Sequence, residues 1–107
     1  MTAEKHSSVS VGRRRVAIVE DNPHPDYVGL FVPRKRGWRI HLFGERGRAK
    51  WSTLWHELLH ALSGAALERK RVPVLTEAQV LALEEGFADL CRRNPRLMLR
   101  LVKELSK

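Results

Sequence analysis

Two histidines and a glutamate in the segment His56-Glu57-Leu58-Leu59-His60 are residue types that can hold and use a metal ion. An α-helix advances by about 100° per residue, so side chains four positions apart share a face and His56 and His60 can both reach one ion. Glu57 lies beside them, where a carboxylate can accept a proton from water activated by the metal. If the segment is helical, the spacing predicts a zinc (Zn2+) site with Glu57 as general base.

The sequence around this segment predicts the helix that such a site requires. From about residue 48 to residue 67, apolar side chains recur at the spacing of one helical face. They are Trp51, Leu54, Trp55, Leu58, Leu59 and Leu62. The two histidines therefore lie within the most strongly periodic segment of the chain.

Two further helices are predicted downstream. Thr76 and Gln79 have the spacing of a capping box, which starts a second helix that ends near Arg93. Asn94 followed by Pro95 is typical of an N-cap with proline in the first helical position, so a third helix is expected to begin there.

Three segments upstream of the motif are predicted to be strands. Residues 15–20, 27–32 and 38–43 are rich in β-branched and aromatic side chains, and turn residues separate them. We therefore expect an α+β fold in which a small antiparallel three-stranded sheet is followed by three helices. Residues 1–12 are polar and lack periodicity, which predicts a flexible N-terminal arm before a single domain at residues 13–107.

A third metal ligand is expected on the second helix, because zinc in hydrolases usually takes three protein ligands and a water. Glu84 lies near the centre of the apolar arc of that helix, where an unpaired carboxylate would be costly, so it needs a partner such as a metal or an arginine. Glu85 lies at the edge of the arc, with Asp89 one turn later in a position to hydrogen-bond a ligand histidine. These residues alone leave both glutamates open.

The HELLH segment is followed, after 24 intervening residues, by the sequence EGFAD, which begins at Glu85. This pair of motifs resembles the gluzincin type of zinc peptidase. The similarity is greatest to the compact ImmA/IrrE-like metallo-endopeptidases and to small phage-encoded proteins of that kind, and it covers roughly residues 38–96. The resemblance implies a minimal zincin-like fold and a zinc-dependent metallopeptidase that hydrolyses peptide bonds.

The resemblance also implies roles for individual residues. His56, His60 and Glu85 would be the metal ligands, Glu57 the general base, and Asp89 a neighbour in the outer shell. The implied substrate is a protein or peptide.

The chain departs from the family pattern at three points, the first of which is that the Phe-Ala-rich tail of the second motif is reduced to Leu90-Cys91. Leu59 stands where the small members often have glycine, and no residue clearly matches a donor that stabilises the transition state; Tyr27 and His41 are the candidates. An exposed edge of the sheet at residues 38–43 would suit an extended peptide that is added as a further strand. The other interpretation of this segment is a strand with one core face and one surface face.

The charge of the chain suggests a competing function. Twenty Lys and Arg against twelve Asp and Glu give a formal net charge of +8, which attracts polyanions and acidic proteins. The alternative is therefore a basic module that binds nucleic acid or an acidic protein, with a structural or vestigial zinc site. No named nucleic-acid motif is present, so this alternative rests on charge. The basic clusters are Arg13–Arg15, Arg34–Arg36, Arg46 with Arg48, and Arg69–Arg71.

Composition disfavours secreted and membrane proteins. The single cysteine, Cys91, cannot form an intramolecular disulfide and has no cysteine partner for a thiolate metal site. No apolar run approaches the ~18 residues of a membrane span, and the polar residues 2–10 lack the apolar stretch of a secretory signal. We expect a cytoplasmic protein that does not enter a membrane.

Overall fold

A mixed four-stranded sheet and three helices form the structure, a computed structural model that describes residues 5–35 and 37–107. The elements are β1 (Lys5–Val11), β2 (Arg14–Asp21), β3 (Gly29–Val32), β4 (Trp38–Phe43), α1 (Gly47–Lys70), α2 (Glu77–Arg93) and α3 (Pro95–Leu105). The predicted α+β class and the three helices are confirmed.

The sheet differs from the prediction in the number of strands and in one pairing. Its order is β1-β2-β4-β3. The β1–β2 and β3–β4 pairs are antiparallel, but β2 and β4 are parallel, so the prediction of an antiparallel sheet was wrong for this pair. The chain crosses from β2 to the outer strand β3 and then returns, so that β4 enters beside β2 in the same direction.

The additional strand, β1, lies in the segment for which no regular structure was predicted. Residues 1–4 of that segment lie outside the described residues. Ser8 and Ser10 are exposed, whereas Val11 is only 5% exposed and Val9 packs against the core. This alternation is typical of a half-buried strand. It was not recognised in the sequence because serine, which is not a typical strand residue, alternates with valine and gives the segment the composition of a polar arm.

One face of the sheet packs against α1 and forms the core. Trp38 and Ile40 on β4 are 5% and 0% exposed, and the small side chains of Ala61 and Ala65 face them from α1. Gly64 lies beneath the Trp38 ring, where a Cβ would come within 3.2 Å of the indole. Small residues on this side of α1 thus let the helix approach the sheet closely.

The connection between α1 and α2 is held by specific hydrogen bonds. The predicted capping box is confirmed, because the Gln79 backbone N–H donates to Thr76 Oγ1 at 3.1 Å and the Thr76 N–H donates to Gln79 Oε1 at 2.9 Å. The Leu75 N–H donates to the buried Ser63 hydroxyl at 2.7 Å. These bonds start α2 at a defined residue and return it antiparallel along α1.

Most apolar side chains of α2 and α3 remain exposed. Val80 is 0% exposed, but Leu83 and Leu90 are 49% and 51% exposed, so the predicted burial of a wide apolar arc on α2 was wrong. On α3, Leu99 and Leu105 are 72% and 77% exposed. Among the described helices, none is both long and apolar enough to cross a membrane.

Gly29 allows β3 to lie close against α1. A Cβ at this position would collide with Thr53 Cγ2 and would lie 3.3 Å from Glu57 Cγ. Because both atoms belong to side chains of a packed helix, a larger residue at Gly29 must push the strand and helix apart. This close approach brings the edge of the sheet next to the HExxH turn.

Gly29→Ala is therefore expected to lower the free energy of unfolding by about 1–3 kcal/mol, the usual cost of overpacking. Gly86→Ala is the matched control, because nothing lies within 4 Å of a Cβ at Gly86 in α2. Replacing glycine inside a helix should stabilise the protein by about 0.5–1 kcal/mol. Chemical denaturation of both variants measures the difference, and equal effects would contradict the close approach.

Candidate metal centre

Helix α1 presents its motif residues to two different neighbours. Glu57 faces β3, close to Gly29, whereas His56 and His60 face the first half of α2. Successive residues on a helix are turned by about 100°, which separates the glutamate from the histidines. One carboxyl group and two imidazoles thus reach one cleft from different sides of the helix.

The two imidazoles come together with a carboxylate that was not predicted as a ligand. His56 Nε2 lies 2.6 Å from Glu77 Oε1, and His60 Nε2 lies 2.9 Å from Glu77 Oε2. One ligand atom from each of the three residues lies within 4.8 Å of the others. The HExxH spacing therefore brings both imidazoles to one place, and Glu77 completes a group of three donors.

Glu85, predicted as the third ligand, lies outside this group and is exposed. The reason is helical phase. Glu84 is seven residues after Glu77 and therefore lies within about 20° of it around α2, whereas Glu85 is rotated by about 80°. The described geometry thus supports Glu77, rather than either of the two glutamates considered from the sequence, in the ligand position.

Glu84 holds His56 from the other side of the ring. His56 Nδ1 lies 2.6 Å from Glu84 Oε2, and the Ser52 hydroxyl donates to Glu84 Oε1 at 3.0 Å. A carboxylate at the second ring nitrogen orients a ligand histidine and selects the tautomer whose other nitrogen binds the metal. The Glu84 carboxylate was expected to need a partner, and that partner is His56.

Asp89 does not take part in the site, contrary to its predicted outer-shell role. Its carboxylate is 2.7 Å from Arg92 Nη2 and 3.2 Å from Arg93 Nε, both on the same helix. Glu84 occupies the orienting position instead, because it lies one helical turn nearer to His56.

The carboxylates around His56 change its protonation. Burial, the largest influence, opposes the charged imidazole, but the hydrogen bond that His56 donates to Glu84 and the charges of Glu57, Glu77 and Glu84 outweigh it and raise the pKa of His56. The protonated ring can donate to a carboxylate at each nitrogen. A metal ion binding at Nε2 would have to displace a proton.

Glu57 is buried beside β3, with only 8% of its surface exposed. Burial raises the pKa of its carboxyl, while the charges of His56 and His60 and a hydrogen bond from the Phe31 backbone N–H act in the opposite direction. Burial prevails. A carboxyl with a raised pKa is suited to take and return protons near neutral pH.

These residues line an open cleft of about 640 Å³ between β3, α1 and α2. Tyr27 lies in its wall, on the segment that leads into β3. His41, the other candidate donor, points to the opposite face of the sheet, where its Nδ1 lies 2.7 Å from Asp21 Oδ2. Of the two candidates, only Tyr27 is placed within reach of the cleft.

The strand beside the cleft is β3, whereas residues 38–43 had been expected to offer the exposed edge. β4 occupies an interior position between β2 and β3, so its backbone is already paired on both sides. The Val28 carbonyl accepts from Phe43 N–H, which directs the backbone groups of Gly29 and Phe31 away from β4. The edge next to the HExxH turn is therefore that of Gly29–Val32.

Glu77 was missed because two sequence signals had to be combined. Its neighbour Thr76 was identified as an N-cap, so Glu77 was already the first residue of α2. The short connection makes α1 and α2 antiparallel, which brings the start of α2 opposite the C-terminal half of the HExxH motif. The start of α2 and its direction relative to α1 together indicate Glu77. The family resemblance instead indicated Glu85, which lies further along the chain.

Comparison of the chain with protein-family profiles, curated proteins and solved structures found no match. The resemblance to gluzincins therefore stays a prediction carried by the HExxH motif.

Glu57→Gln should stabilise the metal-free protein by about 1 kcal/mol at neutral pH, because it removes the cost of a buried carboxylate and keeps an acceptor for the Phe31 N–H. Below about pH 4.3, the ordinary pKa of glutamate, both folded and unfolded wild-type chains are protonated, and the gain should be smallest. As the pH rises, Glu57 ionises first in the unfolded wild-type chain. The stability gain of Glu57→Gln should therefore grow until the pH exceeds the raised pKa of Glu57 in the folded protein.

Thermal unfolding in the presence of a chelator, followed from pH 4 to pH 8, measures this gain. Glu85→Gln is the control, since Glu85 is exposed and its replacement should change the stability by less than about 0.5 kcal/mol. A loss of stability in Glu57→Gln at neutral pH would contradict the expected cost of burial.

Proposed function

We propose that this protein is a zinc-dependent metallopeptidase that holds its metal with His56, His60 and Glu77. The observation that carries the proposal is the position of the Glu77 carboxylate, 2.6 Å and 2.9 Å from the Nε2 atoms of the two histidines. A residue in the first turn of a helix has no need of such contacts, whereas three convergent donors in an open cleft are what a metal site needs.

The donor set suits zinc in a catalytic role. Two imidazole nitrogens and one carboxylate oxygen are a known ligand set of zinc hydrolases, and three protein donors leave one coordination position for water or substrate. The orienting contact of Glu84 on His56 and the open cleft in front of the group support the same assignment. When bound, zinc would act as a Lewis acid toward a carbonyl oxygen and lower the pKa of water.

Glu57 would perform the proton transfers of hydrolysis. Its carboxylate lies on the cleft wall next to the two histidines, and its raised pKa brings proton uptake and release toward neutral pH. It would accept a proton from the attacking water and deliver it to the nitrogen of the departing amine.

The edge of β3 would position the peptide. Backbone groups of Gly29 and Phe31 point away from β4, and the strand borders the cleft. An extended chain added there would place its backbone alongside Glu57. Tyr27, on the same wall, is the candidate to donate a hydrogen bond to the carbonyl oxygen during attack.

Zinc uptake tests the ligand set. We expect purified protein to bind one zinc ion, and Glu77→Gln to weaken zinc affinity by more than about 100-fold. Glu84→Gln should weaken it by about 10–100-fold, as is usual for residues that orient a ligand. Glu85→Gln is the matched control and should bind like wild type. Titration against a competing chelator measures all four proteins, and loss of zinc in Glu85→Gln with retention in Glu77→Gln would overturn the assignment.

Peptide hydrolysis tests the catalytic role. Zinc-loaded wild type should cleave a mixture of fluorescence-quenched peptides, and Glu57→Gln should lower the rate by about 10²–10⁴-fold, the usual contribution of general acid–base catalysis. The same variant should keep its zinc, because Glu57 faces β3 and not the ligand group. Unchanged cleavage by Glu57→Gln, or by protein stripped of zinc, would refute the mechanism.

A further inference from the structure

The face of the sheet opposite α1 carries a group of arginines that the proposed peptidase does not use. Arg15 on β2, Arg39 on β4 and Arg34 after β3 are exposed and line one shallow depression of about 430 Å³. The register explains their proximity. Arg39 pairs with Ala17, which lies two residues after Arg15 on β2. Residues two apart on a strand point to the same face of the sheet, so Arg15 and Arg39 share a face. We call Arg15, Arg34 and Arg39 the arginine face.

Arg15 is held in place by serines of β1. Its Nε donates to the Ser8 hydroxyl and its Nη1 to the Ser10 hydroxyl, both at 2.9 Å. A guanidinium carries five N–H donors, so three remain for a ligand. The side chain is thus ordered before binding, which reduces the entropy lost when it contacts an anion.

The charges of the arginine face are not neutralised by carboxylates. Among the residues that the structure describes, none of its three arginines lies within 4 Å of an Asp or Glu oxygen. Arg14, the neighbour of Arg15 on the other side of the sheet, differs: it contacts Glu68 through two nitrogens and packs over the Trp38 ring. Arg14 therefore serves the fold, whereas Arg15 is exposed without a counter-charge.

No described helix covers this side of the sheet, because α1 packs on the opposite face, α2 packs on α1 and α3 packs on α2. The three arginines themselves are exposed and can meet a large ligand. A dense line of negative charge suits three clustered arginines better than scattered carboxylates do, since duplex DNA carries one charge per about 1.7 Å of axis. Arginine also binds phosphate oxygens through two parallel N–H groups.

We propose that the arginine face binds the phosphate backbone of nucleic acid. Phosphate contacts hold a protein on the duplex without reading its sequence, so binding should be independent of base sequence and strongly sensitive to salt. The surface lies across the sheet from the cleft, so binding requires neither zinc nor Glu57.

The test measures binding of the full chain to a labelled DNA duplex of arbitrary sequence between 50 and 200 mM salt. Replacing Arg15, Arg34 and Arg39 with glutamine should weaken binding at least 10-fold at 100 mM salt. It should also reduce the slope of log affinity against log salt by about 2.7, which is 0.9 for each phosphate that an arginine no longer neutralises. Stripping the zinc should change neither value, which separates this result from the fate of the peptidase proposal.

A charge-matched control distinguishes a surface from net charge alone. Replacing Arg93, Arg96 and Lys103, which lie on α2 and α3, removes the same three charges and should weaken binding less than 3-fold with little change in slope. If the triple replacement on the sheet impairs folding, Arg39→Gln alone should lower the slope by about 0.9.

Three results would overturn the proposal. They are equal weakening by the two triple replacements, absence of duplex binding by wild type at 50 mM salt, and binding of polyglutamate of matched charge as tight as that of DNA. The last result would indicate an acidic protein as the partner.

Discussion

The packing of α1 between two surfaces is the constraint on which the site depends. One side of the helix lies against the sheet through Ala61 and Ala65, and another carries His56 and His60, which contact carboxylates of α2. The two directions differ by clearly more than the about 100° that separates successive residues of a helix. Adjacent residues of the HExxH turn therefore meet different environments, the glutamate a buried sheet edge and the histidines the carboxylates of α2.

This arrangement makes the histidines and their carboxylates an electrostatic unit. Glu77 and Glu84 contact His56 at opposite ring nitrogens, and the combined negative charge overcomes the burial that would otherwise keep the ring neutral. Glu57 sits in the reverse situation, since burial dominates over the nearby imidazoles. One helical turn thus holds a base whose pKa is raised by burial beside an imidazole whose pKa is raised by charge.

Local patterns in the sequence predicted the helices well and the long-range pairings poorly. The periodicity around Trp55 and the capping box at Thr76 depend on neighbouring residues only, and both elements formed where expected. The parallel pairing of β2 with β4 depends on where a returning strand inserts, which alternation within a strand does not encode. Glu77 shows the same limit, because its place in the site follows from the direction in which α2 crosses α1.

The proposed ligand group and the proposed proton acceptor have different structural origins. His56, His60 and Glu77 come from one helical hairpin, so their meeting requires only contacts that are near in the chain. The burial of Glu57 requires β3, whose place at the sheet edge depends on pairing with β4 and, through it, with β2. In the proposed mechanism, substitutions that displace β3 would therefore impair the proton transfers of Glu57, while the three donors of the helical hairpin would stay together.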